Sequence, residues 1–171
     1  MKVFEYCPKC GHDGLAWREG KQWVCHHCGL TYYHNTAAAV GAVLLYRDEV
    51  LMTVRKHGPG QGALDLPGGF VDHCESLEQA LTREVNEELN VVVDVSDWRY
   101  LFSFANRYPY AGISYYTADA FFLKELETRP DIVSSDDVAD AVWIKLKEVT
   151  LDSIGFESVR DAVRKLQKTK G

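Results

Sequence analysis

This sequence of 171 residues lacks several things. No apolar run approaches the roughly 20 residues needed to span a bilayer, so a membrane-embedded chain is not expected. Nothing resembles a secretory leader. Met1-Lys2-Val3-Phe4 runs directly into a charged, cysteine-containing segment, so the cytoplasm is the expected compartment. A basic excess is missing as well: 19 Lys and Arg stand against 25 Asp and Glu, a formal net charge of -6. That balance matches a nucleic acid backbone poorly, so no nucleic-acid partner is expected. A phosphate anhydride would need bound cations to offset the same repulsion. Internal repeats and low-complexity tracts are absent. What remains is a globular chain, 46% hydrophobic, long enough for one substantial core and a small module.

Cysteine is present, and its placement is informative. Four of the five cysteines form Cys7-Pro-Lys-Cys10 and Cys25-His-His-Cys28, with fourteen residues between the pairs. Two Cys-x2-Cys knuckles at such spacing predict a zinc ribbon, in which four thiolates surround a tetrahedral Zn²⁺. Gly11 and Gly29 follow the knuckles where the turn must stay tight. The competing reading is two disulfides, which a chain without a secretion signal does not favour. His26 and His27 could compete as ligands, though four thiolates need no help. Cys74 is left over and reads as a bystander. Residues 1–34 form the expected ribbon, with Trp17, Trp23, Val24, Tyr32 and Tyr33 packing its small sheet. Its charges nearly cancel: Lys2, Lys9, Arg18 and Lys21 against Glu5, Asp13 and Glu19.

The second domain is expected over residues 36–171. Ala37 to Tyr46 reads as a buried strand, and Val50 to Lys56 as its hairpin partner across Arg47-Asp48-Glu49. A flexible loop, His57 to Gly62, leads to a short strand at Leu64 to Leu66. Further strands are expected at Val91 to Val95, Trp98 to Phe104, Ile113 to Leu123 and Val138 to Ile144. Ser158 to Lys168 reads as an amphipathic closing helix, with Val159, Val163 and Leu166 on one side. Strands and helices interleave without βαβ repetition, so the expected fold is α/β, a mixed sheet between helices.

Gly69 to Val91 carries the chemistry. Ser76 followed by Gln79 is a capping box that predicts a helix starting near Leu77. On that helix Leu77, Ala80, Leu81, Val85 and Leu89 make an apolar stripe. Glu84, Glu87 and Glu88 share the other side, where like charges repel by a few tenths of a kcal/mol per pair. A divalent cation between them would remove that cost, and hard oxygen ligands suit Mg²⁺ or Mn²⁺. Leu66-Pro67-Gly68-Gly69 precedes the segment, with paired glycines that let backbone approach a ligand closely.

The segment resembles the Nudix box, Gly-x5-Glu-x7-Arg-Glu-U-x-Glu-Glu-x-Gly-U, where U is apolar. Every defined position matches except Asn90, which stands for the second glycine. Asn is the next best residue for a left-handed helix cap. The resemblance implies a Nudix α/β/α sandwich and a hydrolase of a diphosphate linked to another moiety. It implies Glu84, Glu87 and Glu88 as metal ligands, with the Gly68 carbonyl in addition. Glu75 and Arg83 read as a pair that orients the box, with a metal role for Glu75 as the alternative. The general base would be a box glutamate or an acid on a later loop, where Asp136 and Asp137 are candidates; equally, those two aspartates cap a turn. A homodimer is expected on the same resemblance.

A ribbon before such a domain is similar to the NADH pyrophosphatase group and its relatives among ADP-ribose hydrolases. Ser103, Tyr108 and Pro109 fall in step with that group's downstream motif, Ser-Gln-Pro-Trp-Pro-Phe-Pro-x-Ser, while its Gln, Trp, two of its prolines and its final Ser have no counterpart. Phe104, Tyr108 and Tyr110 are candidates to stack on a base, and Arg107 to meet a phosphate. The implied substrate is NADH, ADP-ribose or a similar small nucleotide. A nucleoside triphosphate hydrolase shares the metal site, and a non-catalytic nucleotide sensor would be marked by loss of glutamates that are intact here.

Overall fold

Local signals set the ends of the central helix. The structure, a computed structural model, describes residues 4–133 and 138–169. In it α1 runs Leu77–Leu89. The Ser76 hydroxyl accepts from the Gln79 N–H at 3.2 Å, and the Gln79 side chain returns to the Ser76 N–H at 2.8 Å. Both halves of the expected capping box therefore form. At the other end Asn90 adopts the left-handed conformation, φ 56° and ψ 31°, which its short polar side chain tolerates.

The chain divides into two units, Met1–Thr36 and Ala37–Gly171. The first holds a three-stranded antiparallel sheet of β1 (Leu15–Arg18), β2 (Gln22–Cys25) and β3 (Thr31–Tyr33). Trp23, 2% exposed, is its apolar centre, with the rings of Trp17 and Phe4 against it. Tyr32 and Tyr33 depart from expectation, at 45% and 53% exposed. They lie on an edge strand of three residues, and so small a unit has too little mass to cover them.

In the second unit β4 (Ala37–Tyr46) pairs in parallel with β8 (Ile113–Glu125), and β7 (Arg99–Tyr110) pairs antiparallel with β8. β5 (Glu49–Arg55) pairs along its length with β9 (Val138–Lys145) and reaches β6 (Leu64–Asp65) at its far end. The expected hairpin of β4 and β5 holds only beside its turn, at Leu45↔Val50 and Tyr46↔Glu49. β4 is buried on both faces, and such a strand suits a long parallel partner covered by helices.

The two cores lie on opposite faces of this sheet. Ala42 and Leu44 pack with Leu81, Val85 and Leu89 of α1. Val43 and Leu45 pack with Val159, Ala162, Val163 and Leu166 of α2 (Glu157–Thr169). Helix, mixed sheet and helix make the expected α/β/α sandwich. No helix among the described residues is long and apolar enough to cross a membrane.

Two strand boundaries differ from the reading of the sequence. Val91 to Val95 is not a strand. Val91 and Val93 are buried and Val92 is 84% exposed, an alternation that mimics β structure without a paired neighbour. The Asp94 carboxylate then accepts from the Ser96 N–H and opens a 3-10 turn at Val95–Asp97. β7 continues to Tyr110 instead of ending near Phe104. It lies at the end of the strand order, and an edge strand tolerates Pro109.

Candidate active site

In the first unit the four knuckle cysteines converge, with all four sulfurs within 4.8 Å of one another. Cys7 Sγ lies 3.7 Å from Cys28 Sγ, and Cys10 Sγ 3.8 Å from Cys25 Sγ. All four are free cysteines, with no sulfurs at the roughly 2.05 Å of a disulfide. The two distances fit a tetrahedral Zn²⁺ with bonds of about 2.3 Å, whose sulfurs stand about 3.8 Å apart. Gly11 and Gly29 both have φ 71° and donate to the Cys7 and Cys25 carbonyls, so the two knuckles repeat one turn. The crowded sulfurs titrate apart, one thiol pulled down and another pushed up. Burial opposes ionisation of Cys7, yet the N–H groups of Cys10 and Lys9 pull its thiol down to about 6. At Cys10 the His12 N–H pulls the same way, but burial and the sulfurs of Cys28, Cys7 and Cys25 outweigh it and push the thiol up to about 12.

In the second unit the segment around Gly68-Gly69 lies along β4. The Ala42 N–H donates to the Pro67 carbonyl at 2.7 Å, and the Val40 N–H to the Gly69 carbonyl at 2.9 Å. Gly68 points its own N–H the other way, to Glu88 Oε2 at 3.0 Å. Only glycine fits at both positions. A Cβ on Gly68 would stand 2.1 Å from the Val40 carbonyl oxygen, at a φ of 145°. A Cβ on Gly69 would meet Glu84 Oε1 at 2.5 Å. Two of the three box glutamates thus press against the glycine pair. Gly68→Ala is expected to cost about 3 kcal/mol in urea unfolding, since the clash is with the Val40 backbone, which cannot rotate away. A loss below about 1 kcal/mol would show that the loop yields and does not hold these carboxylates.

Arg83 organises the remaining acids. It donates to Glu75 through Nη2 at 2.7 Å and Nε at 3.2 Å, a two-pronged pair. Nη1 reaches Glu84 at 2.9 Å and Glu87 at 3.2 Å, and Nη2 also reaches the Phe70 carbonyl at 3.1 Å. Glu75 is lowered by the Arg83 hydrogen bonds and then by the Asp72 N–H. Glu84 moves the other way, because burial outweighs its bond to Arg83. Glu88 is pushed furthest. Burial lifts it to about 8, against the Gly68 N–H and with Glu84 and Asp65 adding repulsion. Glu87 turns out to solvent, its side chain 61% exposed. The three glutamates do not converge equally: Glu84 and Glu88 face the glycines, and Glu87 leans on Arg83. Glu84 shares the one Arg83 guanidinium with Glu75 and Glu87, and Glu88 forms no ion pair among the described residues, a partly buried pair that fits a divalent cation and its oxygen-rich ligand set.

Glu88 lines a cavity of about 530 Å³ in this unit, together with Gly68, Gly69, Arg55, Asp65 and His57. Tyr108 and Tyr110 form part of its wall. Tyr108 stands near Phe70 and Phe156, with ring centroids 5.5 and 5.6 Å away. Phe104 and Arg107, both candidates on the sequence, are not among its lining residues. Phe104 packs against the α2-side core, near Phe102 and Phe121. Arg107 falls on the opposite face of β7 and donates to the Ser114 hydroxyl at 2.8 Å. Asp136 and Asp137 lie outside the described residues.

The NUDIX domain description matches residues 35–166, most of the chain. The chain belongs to the Nudix hydrolase family. Its curated relatives include the NAD-capped RNA hydrolase NudC of Yersinia pestis (strain Pestoides F), 34% identical over 116 residues. That match covers 67% of this chain and 43% of the relative, so the chain spans less than half the length of the curated relatives it matches. Solved structures share the fold. A NUDIX hydrolase from Nitrosomonas europaea superposes with a TM-score of 0.73 at 24% identity, covering 96% of this chain and 91% of that one. The NUDIX domain of Shewanella oneidensis NrtR, complexed with ADP ribose, gives 0.66 at 24% identity, covering 80% and 90%.

Several residues of the Nudix cavity escape a reading of the sequence. Arg55 and Asp65 form an ion pair at 2.9 Å, and burial raises Asp65 to about 6 although Arg55 opposes it. Thr117 and Asp119 lie on β8 and also line the cavity. One signal pointed to them: a carboxylate inside Thr117-Ala-Asp-Ala-Phe-Phe-Leu123, an otherwise apolar strand.

Proposed function

We propose that this chain hydrolyses the pyrophosphate linkage of a nucleoside diphosphate joined to another moiety, such as NADH or ADP-ribose. One observation carries the reading most: Glu88, its proton affinity raised by burial, lies at the wall of a nucleotide-sized cavity with Glu84 on the same glycine pair. Glu84 and Glu88 would hold Mg²⁺ or Mn²⁺, with the Gly68 carbonyl in support and Glu87 at the rim. The bound ion supplies neutralisation of the phosphate oxygens and a water of lowered pKa. Arg83 and Glu75 clamp the box loop to α1 and so keep the two glutamates in place. Tyr108, between Phe70 and Phe156, offers a ring face to a base. The first unit would hold a structural Zn²⁺ on Cys7, Cys10, Cys25 and Cys28.

The curated relatives named as NAD-capped RNA hydrolases support a diphosphate of this type, and they extend the range of substrates to RNA ends. The test is hydrolysis across NADH, NAD⁺, ADP-ribose, FAD, diadenosine polyphosphates, NAD-capped RNA and nucleoside triphosphates, each with Mg²⁺, Mn²⁺ or chelator. Cleavage of a diphosphate derivative to two monophosphate products is expected, abolished by chelator. Turnover of triphosphates alone, or no turnover by folded, zinc-loaded protein, would overturn the proposal.

A further inference from the structure

One acid on the cavity wall has both its oxygens engaged. Asp65 meets Arg55 through Oδ2 and the Leu66 N–H through Oδ1, both at 2.9 Å. Asp119 differs. Its Oδ2 accepts from the Ser158 hydroxyl of α2 at 2.6 Å, but its Oδ1 is buried with no hydrogen-bond partner among the described residues. Thr117 Oγ1 is buried and unpartnered in the same way. The two residues are 8% and 3% exposed. They stand two apart on β8, so both project from one face of the sheet, and both line the cavity. A folded chain rarely leaves two polar atoms on one strand face buried and unused, because each costs the full desolvation of the group. The Ser158 bond fixes the carboxylate, so Oδ1 cannot rotate to another partner without breaking it.

We propose that Thr117 and Asp119 form a donor-reading subsite that binds an uncharged N–H or O–H group of the nucleoside part of the substrate. The inference rests on the proposed function and deepens it. A phosphate is the wrong group for this floor, since the Asp119 carboxylate, unlike Asp65 with its Arg55 partner, forms no ion pair among the described residues and would repel it. An amino group on a base or a hydroxyl on a ribose donates to Asp119 Oδ1, while Thr117 Oγ1 can donate or accept. The subsite therefore places the nucleoside deep on β8 and the diphosphate outward, toward Glu84 and Glu88.

The test is calorimetric binding of AMP to the full chain, compared with three AMP analogues. Purine riboside 5′-monophosphate lacks the 6-amino group, and 2′-deoxy-AMP and 3′-deoxy-AMP each lack one hydroxyl. Asp119→Asn keeps an acceptor for Ser158 and turns a donor toward the ligand; Thr117→Val keeps shape and removes the hydroxyl. Each is expected to weaken AMP binding by about 10-fold or more. One analogue should bind wild type as weakly as the variants bind AMP, with no further loss when the two changes are combined. A base-amine source and a ribose source are told apart by which analogue does so. Variants that bind AMP within about twofold of wild type, equal losses for every analogue, or wild type binding none of the probes would each overturn the subsite. So would a lower melting temperature for ligand-free Thr117→Val, which would mean that the fold itself uses the hydroxyl. Hydrolysis by wild type without this coupling would leave the proposed function standing. Coupling without hydrolysis would remove that function and keep the subsite.

Discussion

Glu88→Gln is expected to cut hydrolysis by roughly a thousandfold, about 4 kcal/mol of lost transition-state stabilisation, with the fold intact. Gln retains an oxygen that accepts from the Gly68 N–H, the bond that ties α1 to the glycine loop. What it loses is the charge. Burial already disfavours that charge in the metal-free chain, as its lift to about 8 shows, so the neutral side chain is not expected to destabilise the fold. Glu87→Gln should cost far less, within about tenfold, because Glu87 is mostly exposed and leans on Arg83. Turnover and Mn²⁺ binding, measured on both variants, check the difference. If Glu88→Gln keeps wild-type turnover within about threefold, the proposed metal role is wrong.

Cys7→Ser combined with Cys10→Ser is expected to release zinc and unfold the first unit. Its sheet has strands of 4, 4 and 3 residues around one well-buried tryptophan, too little apolar area to stand alone. Binding of a structural zinc contributes about 10 kcal/mol or more to the folding of such modules, and two sulfurs of the four are lost. Trp17 and Trp23 should become exposed, shifting the emission of two of the four tryptophans to the red. The helical signal should persist, because α1 and α2 both belong to the second unit and pack on its own cores. Metal analysis decides the matter: a double variant with its full complement of zinc would remove the ribbon assignment.

The helix around the box was legible because its signals are local. Ser76, Gln79 and Asn90 act on backbone groups within one turn, and the stripe from Ala80 to Leu89 depends only on helical period. The cysteine knuckles were legible for the same reason, since each closes over four residues. The valines at 91 to 95 misled, because alternating burial is shared by a strand and by an extended segment with no neighbour. The ribbon tyrosines misled because an aromatic side chain implies burial only where enough structure exists to cover it.

By itself the sequence determined the Nudix family, the box helix with its caps, the layered α/β class and the four-sulfur cluster. All of these follow from spacing along the chain. Tertiary structure decided which of several chemically equivalent residues face the cavity. Tyr108 lines it and Arg107 does not, because pairing with β8 fixes which alternate residues of β7 face inward. Glu84 and Glu88 press on the glycines while Glu87 turns outward, because the Gly68-Gly69 segment lies along β4 and Arg83 holds the third acid. Thr117 and Asp119 enter the cavity through the parallel register of β4 and β8, which sets Ala37 opposite Thr117 and Ala39 opposite Asp119. That register joins residues some eighty positions apart, and no local pattern carries such information; only the packed sheet does.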